Sequence, residues 1–159
     1  MRIHKLFEDN PIAGTSIYLH VQIDVLLKIG AEIESELDSG ISDESIDGAM
    51  LNKIYGIFWL WILGAFEVTR TLHASTFLIE SKRKEVKSFK DYLIRIRAPM
   101  AKHKLAGRSE PVKTELAISG VNSTERDFYF VIGGENFCVR RIIENFRNLI
   151  SSIKPSDVL

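Results

Sequence analysis

Thirteen consecutive residues, 54–66 (IYGIFWLWILGAF), carry no charge, and Lys53 and Glu67 close the run at its two ends. No other feature narrows the fold as far. Apolar side chains at this density must be removed from water, and a bilayer crossing needs ~20 of them in a row. The run falls short of that, so it is expected as a helix enclosed by protein, with no membrane contact. No proline occurs between Pro11 and Pro99, which allows one helix over about 43–80, a rod of roughly 55 Å. Ser42 is its expected N-cap, with Asp43 and Glu44 in the first turn. Gly48, Gly56 and Gly64 recur at intervals of eight. Each costs ~1 kcal/mol in a helix relative to alanine, so the spacing predicts close approach by another helix.

Two further helices flank the rod. Over about 13–37, Ile17, Val21, Val25, Ile29 and Ile33 return every fourth position, with Tyr18, Leu26 and Leu37 widening the stripe. This is an amphipathic pattern, and Gly40 is its expected cap. From Ser81 or Val86 to Arg97, the residues Val86, Phe89, Tyr92, Leu93 and Ile96 define the inner side of another helix. Pro99 should kink it or force a restart, because the ring lacks the N–H that the Arg95 carbonyl needs.

Beyond Gly107 the pattern changes. Residues 112–118 (VKTELAI) alternate in part, and 127–132 (DFYFVI) are aromatic and β-branched, so a hairpin is expected with Gly120, Asn122 and Ser123 in its loop. Gly133 and Gly134 make a further turn, and a last helix spans about 137–153 before Pro155. The expected fold is mainly α: an antiparallel bundle of about four long helices, with a small C-terminal β-hairpin ahead of the last one. A chain of 159 residues, 45% hydrophobic and 26% charged, suits one domain. The lone Cys138 has no intramolecular partner, which points to a reducing, cytoplasmic setting, and it reads as a small core residue. The first ten residues lack the pattern of a secretory signal.

Lysine plus arginine equals aspartate plus glutamate at 21 each, but the balance is uneven along the chain. Residues 1–81 hold 5 basic and 12 acidic side chains, whereas 82–108 hold 10 and 2. Such a basic stretch either faces phosphate or neutralises the acidic segment Glu32, Glu34, Glu36 and Asp38. Four histidines, at 4, 20, 73 and 103, form no metal-ligand spacing, and no metal or cofactor is expected. Two polar groups of residues stand out. Glu67, Arg70 and His73 are spaced to share a helix face, the first two as an ion pair and Arg70 over His73. Arg97 and His103 are separated by five residues. On a straight helix they would lie about 120° apart, so a bend at Pro99 or a two-fold mate is needed to join them.

With Arg97 and His103 placed late in a helix that follows a long apolar one, the chain resembles the HEPN superfamily (higher eukaryote and prokaryote nucleotide-binding domains). That family is marked by arginine, four to six residues, then histidine. The resemblance covers about 13–103 of a single domain spanning 1–159, with the hairpin and last helix, about 110–155, as an extension. It implies a metal-independent endoribonuclease working as a homodimer, with both Arg–His pairs in one cleft. His103 would be the general base or acid and Arg97 the stabiliser of charge on the phosphorus oxygens. Lys102 and Arg95 would hold flanking phosphates, and Glu67, Arg70 and His73 would support them from the neighbouring helix. Ala98 stands where the family commonly has a polar residue, often asparagine, which bears on catalysis and not on the fold. Two alternatives are a non-catalytic interaction, dimerisation or nucleic-acid-binding module, and a small-molecule-binding domain lined by Trp59, Trp61, Phe66 and the Glu67–Arg70 pair.

Overall fold

The structure, a computed structural model, describes residues 10–42, 45–102, 106–107 and 118–159. A short helix α1 (Pro11–Thr15) leads into α2 (Ile17–Gly40), α3 (Gly48–Ala74) and α4 (Glu80–Lys102). Strands β1 (Gly120–Asn122), β2 (Asp127–Ile132) and β3 (Glu135–Cys138) form an antiparallel meander, followed by α5 (Val139–Ser151) and a 3₁₀ turn (Pro155–Asp157). The architecture is four long helices packed on one another with a small sheet before the last.

Local chemistry moves several boundaries from where the pattern alone puts them. Asn10 and Ser16 cap two successive helices where one was expected: the Asn10 carboxamide oxygen accepts from the Ile12 and Ala13 amides, and the Ser16 hydroxyl from Leu19. α3 begins at Gly48 because Asp47 accepts from the Ala49 and Met50 amides, whereas Ser42 is turned into a local loop with Ser45. The expected rod is also cut short. Ser75 donates its hydroxyl to the Leu72 carbonyl, and residues 77–79 run extended against the C-terminus, with the Ile79 amide on the Asp157 carbonyl and the Leu159 amide on Phe77. α4 then passes through Pro99, which is buried, and continues to Lys102 without a restart.

The sheet has three strands where two were expected. The first expected strand lies, apart from Ile118, outside the described residues. β1 instead pairs Gly120 with Tyr129, and β2 pairs Ile132 with Glu135 across Gly133 and Gly134. Both turn glycines have positive φ, 61° and 86°, the backbone that a two-residue hairpin turn requires. α5 starts at Val139, since Phe137 belongs to β3.

Ile54, Phe58, Trp61, Ile62, Ala65 and Leu72 of α3 are buried, along with Ile33, Leu37, Val86, Leu93, Phe128, Phe130, Ile142 and Phe146 from the elements around it. Trp61 stacks on Phe58, meets Phe146 edge-on and donates its indole N–H to the Leu26 carbonyl at 2.9 Å. α3 is long and apolar enough to cross a membrane by length and composition, and 39% of that stretch is buried, against α2, α4 and the sheet. Of its three glycines only Gly64 has the close neighbour that the spacing predicts: a Cβ there would come within 2.9 Å of Leu26, whereas Gly48 and Gly56 face open space. On α2 a Cβ at Gly30 would come within 2.8 Å of Ile143, and one at Gly40 would collide with the Met50 side chain.

The stripe expected to bury α2 is largely on its outside. A repeat of four residues drifts about 40° per step around a helix of 3.6 residues per turn. Ile17, Val21 and Val25 therefore face solvent, while Ile33 at the other end of the stripe is fully buried. The inward face follows Leu19, Ile23, Leu26, Gly30, Ile33 and Leu37.

Candidate functional site

α3 and α4 are antiparallel neighbours, tied near one end by the Trp59 indole N–H, which donates to the Met100 carbonyl at 3.2 Å. That register sets Arg97 over Phe66, its guanidinium carbon 4.9 Å from the ring centroid. Arg97 is half-buried and its Nε has no hydrogen-bond partner among the described residues. A flat cation on an aromatic face is held by the ring quadrupole, so Phe66 fixes the guanidinium while no carboxylate among the described residues compensates its charge. Glu67 directly follows Phe66, and Arg70 lies one turn further on. Glu67 and Arg70 are joined at 2.7 Å, both about half-exposed, as a surface ion pair. His73 borders a cavity of about 190 Å³ with Glu80, Arg83, Lys84 and Lys87 at the elbow between α3 and α4, and its Nδ1 is buried without a partner among the described residues.

The remaining expected site residues divide. Lys102, exposed, is the last residue of α4. Arg95 is turned away from Arg97: it pairs with Glu135 and lies 5.3 Å from the Phe137 ring, so it fastens α4 to β3. His103 lies outside the described residues.

The basic stretch is mostly neutralised from nearby, and not by the acidic segment of α2. Glu80 takes Arg83 and Lys84, Asp91 takes Lys87 and Lys90, and buried Lys82 meets Glu85 and Asp157. The α2 carboxylates have other partners: Glu34 with Arg147, Glu36 with Lys53, and Asp38 with Arg140. Within α4, Arg97 and Lys102 are the cations without a carboxylate partner among the described residues. Sequence reasoning ranked the stretch by charge density; pairing at i±3 and i±4 was readable there and would have singled out its end.

Phe66 beneath Arg97 and the buried Asp127 were not identified from sequence, since both depend on tertiary register. Asp127 accepts from its neighbour Phe128 at 2.8 Å and from the Arg140 amide at 3.1 Å, joining β2 to the first turn of α5. Burial pushes its carboxyl up to about 6, against the pull of those two amides and of the Arg140 guanidinium. Cys138, half-buried rather than core, has its thiol pushed up by burial and by Asp127. Trp61 is core and Trp59 is engaged with α4, so the two indoles do not form an open aromatic pocket; Glu67 instead borders a groove with Val21 and Val25. Among the described residues no three His, Cys, Asp or Glu side chains group as a metal site. No family model, curated protein or solved structure matches the chain.

Proposed function

We propose that this chain is a HEPN-like domain that cleaves RNA without a metal, as a homodimer in a reducing cytoplasm. Arg97 carries the reading: it is pinned on Phe66, lacks a carboxylate partner among the described residues, and opens the Arg–His motif. A phosphodiester is the anion that such a fixed planar cation suits. α4 keeps its helical course through Pro99, so no sharp turn within the described part folds the chain back towards Arg97. The reading therefore takes the second member of the pair from a second copy. His103 removes the proton from a ribose 2′-hydroxyl, the oxygen attacks phosphorus, and the P–O5′ bond breaks as the 5′-oxygen takes a proton from water, giving a 2′,3′-cyclic phosphate and a 5′-hydroxyl. Arg97 balances the charge that builds on the non-bridging oxygens, and Lys102 binds a neighbouring phosphate. Arg95, already engaged by Glu135, takes no part.

Incubation of the full chain with structured RNA in EDTA tests this. Cleavage with cyclic-phosphate ends is expected, abolished in His103→Ala. Absence of cleavage, or cleavage unchanged in that variant, overturns it. A second reading, a non-catalytic association module, is favoured by the exposed apolar face of α2, and it predicts binding or assembly without turnover.

A further inference from the structure

α2 carries two apolar faces, and the described residues cover only one. On the outer face Ile17 is 46% exposed, Tyr18 82%, Val21 52% and Val25 46%, and Leu60 on the adjoining ridge of α3 is 61% exposed. Leu60 lies one turn from Gly64, and Gly64 forms the floor of a groove of about 290 Å³ between the two helices, lined by Val21, Gln22, Val25, Leu26, Glu67 and Val68. The groove is apolar with two polar groups, the Gln22 carboxamide and the Glu67 carboxylate. Tyr18 stands on α2 one turn before Val21, outside its own groove and pointing to solvent.

We propose that this face is the two-fold interface of a homodimer, in which Tyr18 of each copy fills the α2–α3 groove of the other. The fit is self-complementary, as an isologous contact requires. An aromatic ring enters a groove walled by valine and leucine, and its hydroxyl finds Glu67 or Gln22 as an acceptor. The area also suffices. The five exposed side chains leave roughly 500 Å² of apolar surface open, at the upper end for a monomer. Doubled across a two-fold axis this reaches about 1,000 Å², the lower bound of a specific interface. Charge favours a second copy over a bilayer. The ions at the rim are already paired, Lys28 with Asp24 and Arg70 with Glu67, each at 2.7 Å. Among the described residues, two copies meet without repulsion, while an anionic membrane finds no surplus of cations.

The inference rests on the homodimer in the reading above and deepens it by naming the surface. Self-association and RNA cleavage are read by separate assays, so either can fail alone. Sedimentation equilibrium of the full chain is expected to give a dimer with a Kd of about micromolar or tighter. Tyr18→Glu and Val21→Glu, each at an exposed position, should weaken it at least tenfold with the far-UV circular dichroism unchanged. Leu60→Lys is a further variant on the other helix and should act in the same direction. A wild-type chain that stays monomeric at 100-fold that concentration overturns the proposal. So does a dimer that survives all three variants, or a monomer that pellets with anionic phospholipid vesicles. A monomer that self-associates only after deletion of residues 1–9 overturns it as well, since the face would then belong to that segment.

Discussion

The two ends of α4 both carry cations, five up to Asp91 and three beyond it, and are chemically unlike. Between Glu80 and Asp91, five basic side chains find carboxylates on their own helix, mostly at i±3 or i±4. At the far end Arg97 rests on an aromatic ring and Lys102 is exposed, neither with a carboxylate partner among the described residues. Exposed ion pairs of the first kind contribute only ~0–1 kcal/mol each, yet they remove charge that a phosphate would otherwise meet. The lesson is that a basic run in a sequence measures cations, and only the paired structure measures how many remain free to bind.

The sharpest way to break that contrast is to remove the pinned cation. Arg97→Ala should lower RNA turnover about 100-fold, with Arg97→Lys recovering only part because a point charge does not reproduce a planar fork. Single-turnover cleavage checks it, and equal rates in all three proteins would erase the distinction between the two ends.

A second test concerns stability at the sheet, away from α4. The Asp127 carboxyl is raised from 3.8 to about 6 in the folded chain. Folding therefore favours its protonated form. Its contribution is fully present below pH 3.8 and is lost as pH rises through about 6, at most about 3 kcal/mol across that window. Asp127→Asn, which never ionises, should flatten this segment of the profile. Urea midpoints at pH 4 and pH 6.5 decide it, and an unchanged slope in the variant would contradict the assignment.

Smaller effects sharpen the comparison from the side of packing. Phe66→Leu keeps an apolar group in the core but removes the ring under Arg97, and should cost about 1 kcal/mol in urea denaturation. It should also lower turnover, because the guanidinium is no longer held. Replacing Lys84 and Lys87 together with alanine should change stability by less than about 0.5 kcal/mol by the same measure.

How much of this was legible follows from which forces act locally. The helix class, the apolar α3 and the glycine turn at 133–134 follow from periodicity and backbone sterics, which a single segment displays. The break between α3 and α4 comes earlier than the expected one near residue 80, because residues 77–79 are held by bonds to residues 157 and 159 at the other end of the chain. The face of α2 was misassigned for a countable reason: a four-residue repeat does not stay on one side of a 3.6-residue helix. Of the site, Arg97 was visible as a motif residue, but its seat on Phe66 depends on the register between two helices. The separation of Arg95 from Arg97 likewise depends on where β3 packs.

The most direct measurement compares RNA affinity in two double variants, Arg97→Ala with Lys102→Ala and Lys84→Ala with Lys87→Ala, titrated over a range of salt. Free cations at the far end of α4 predict a large loss of affinity and a shallower salt dependence for the first pair, and little change for the second. Equal losses, or a larger loss from Lys84 and Lys87, would contradict the account.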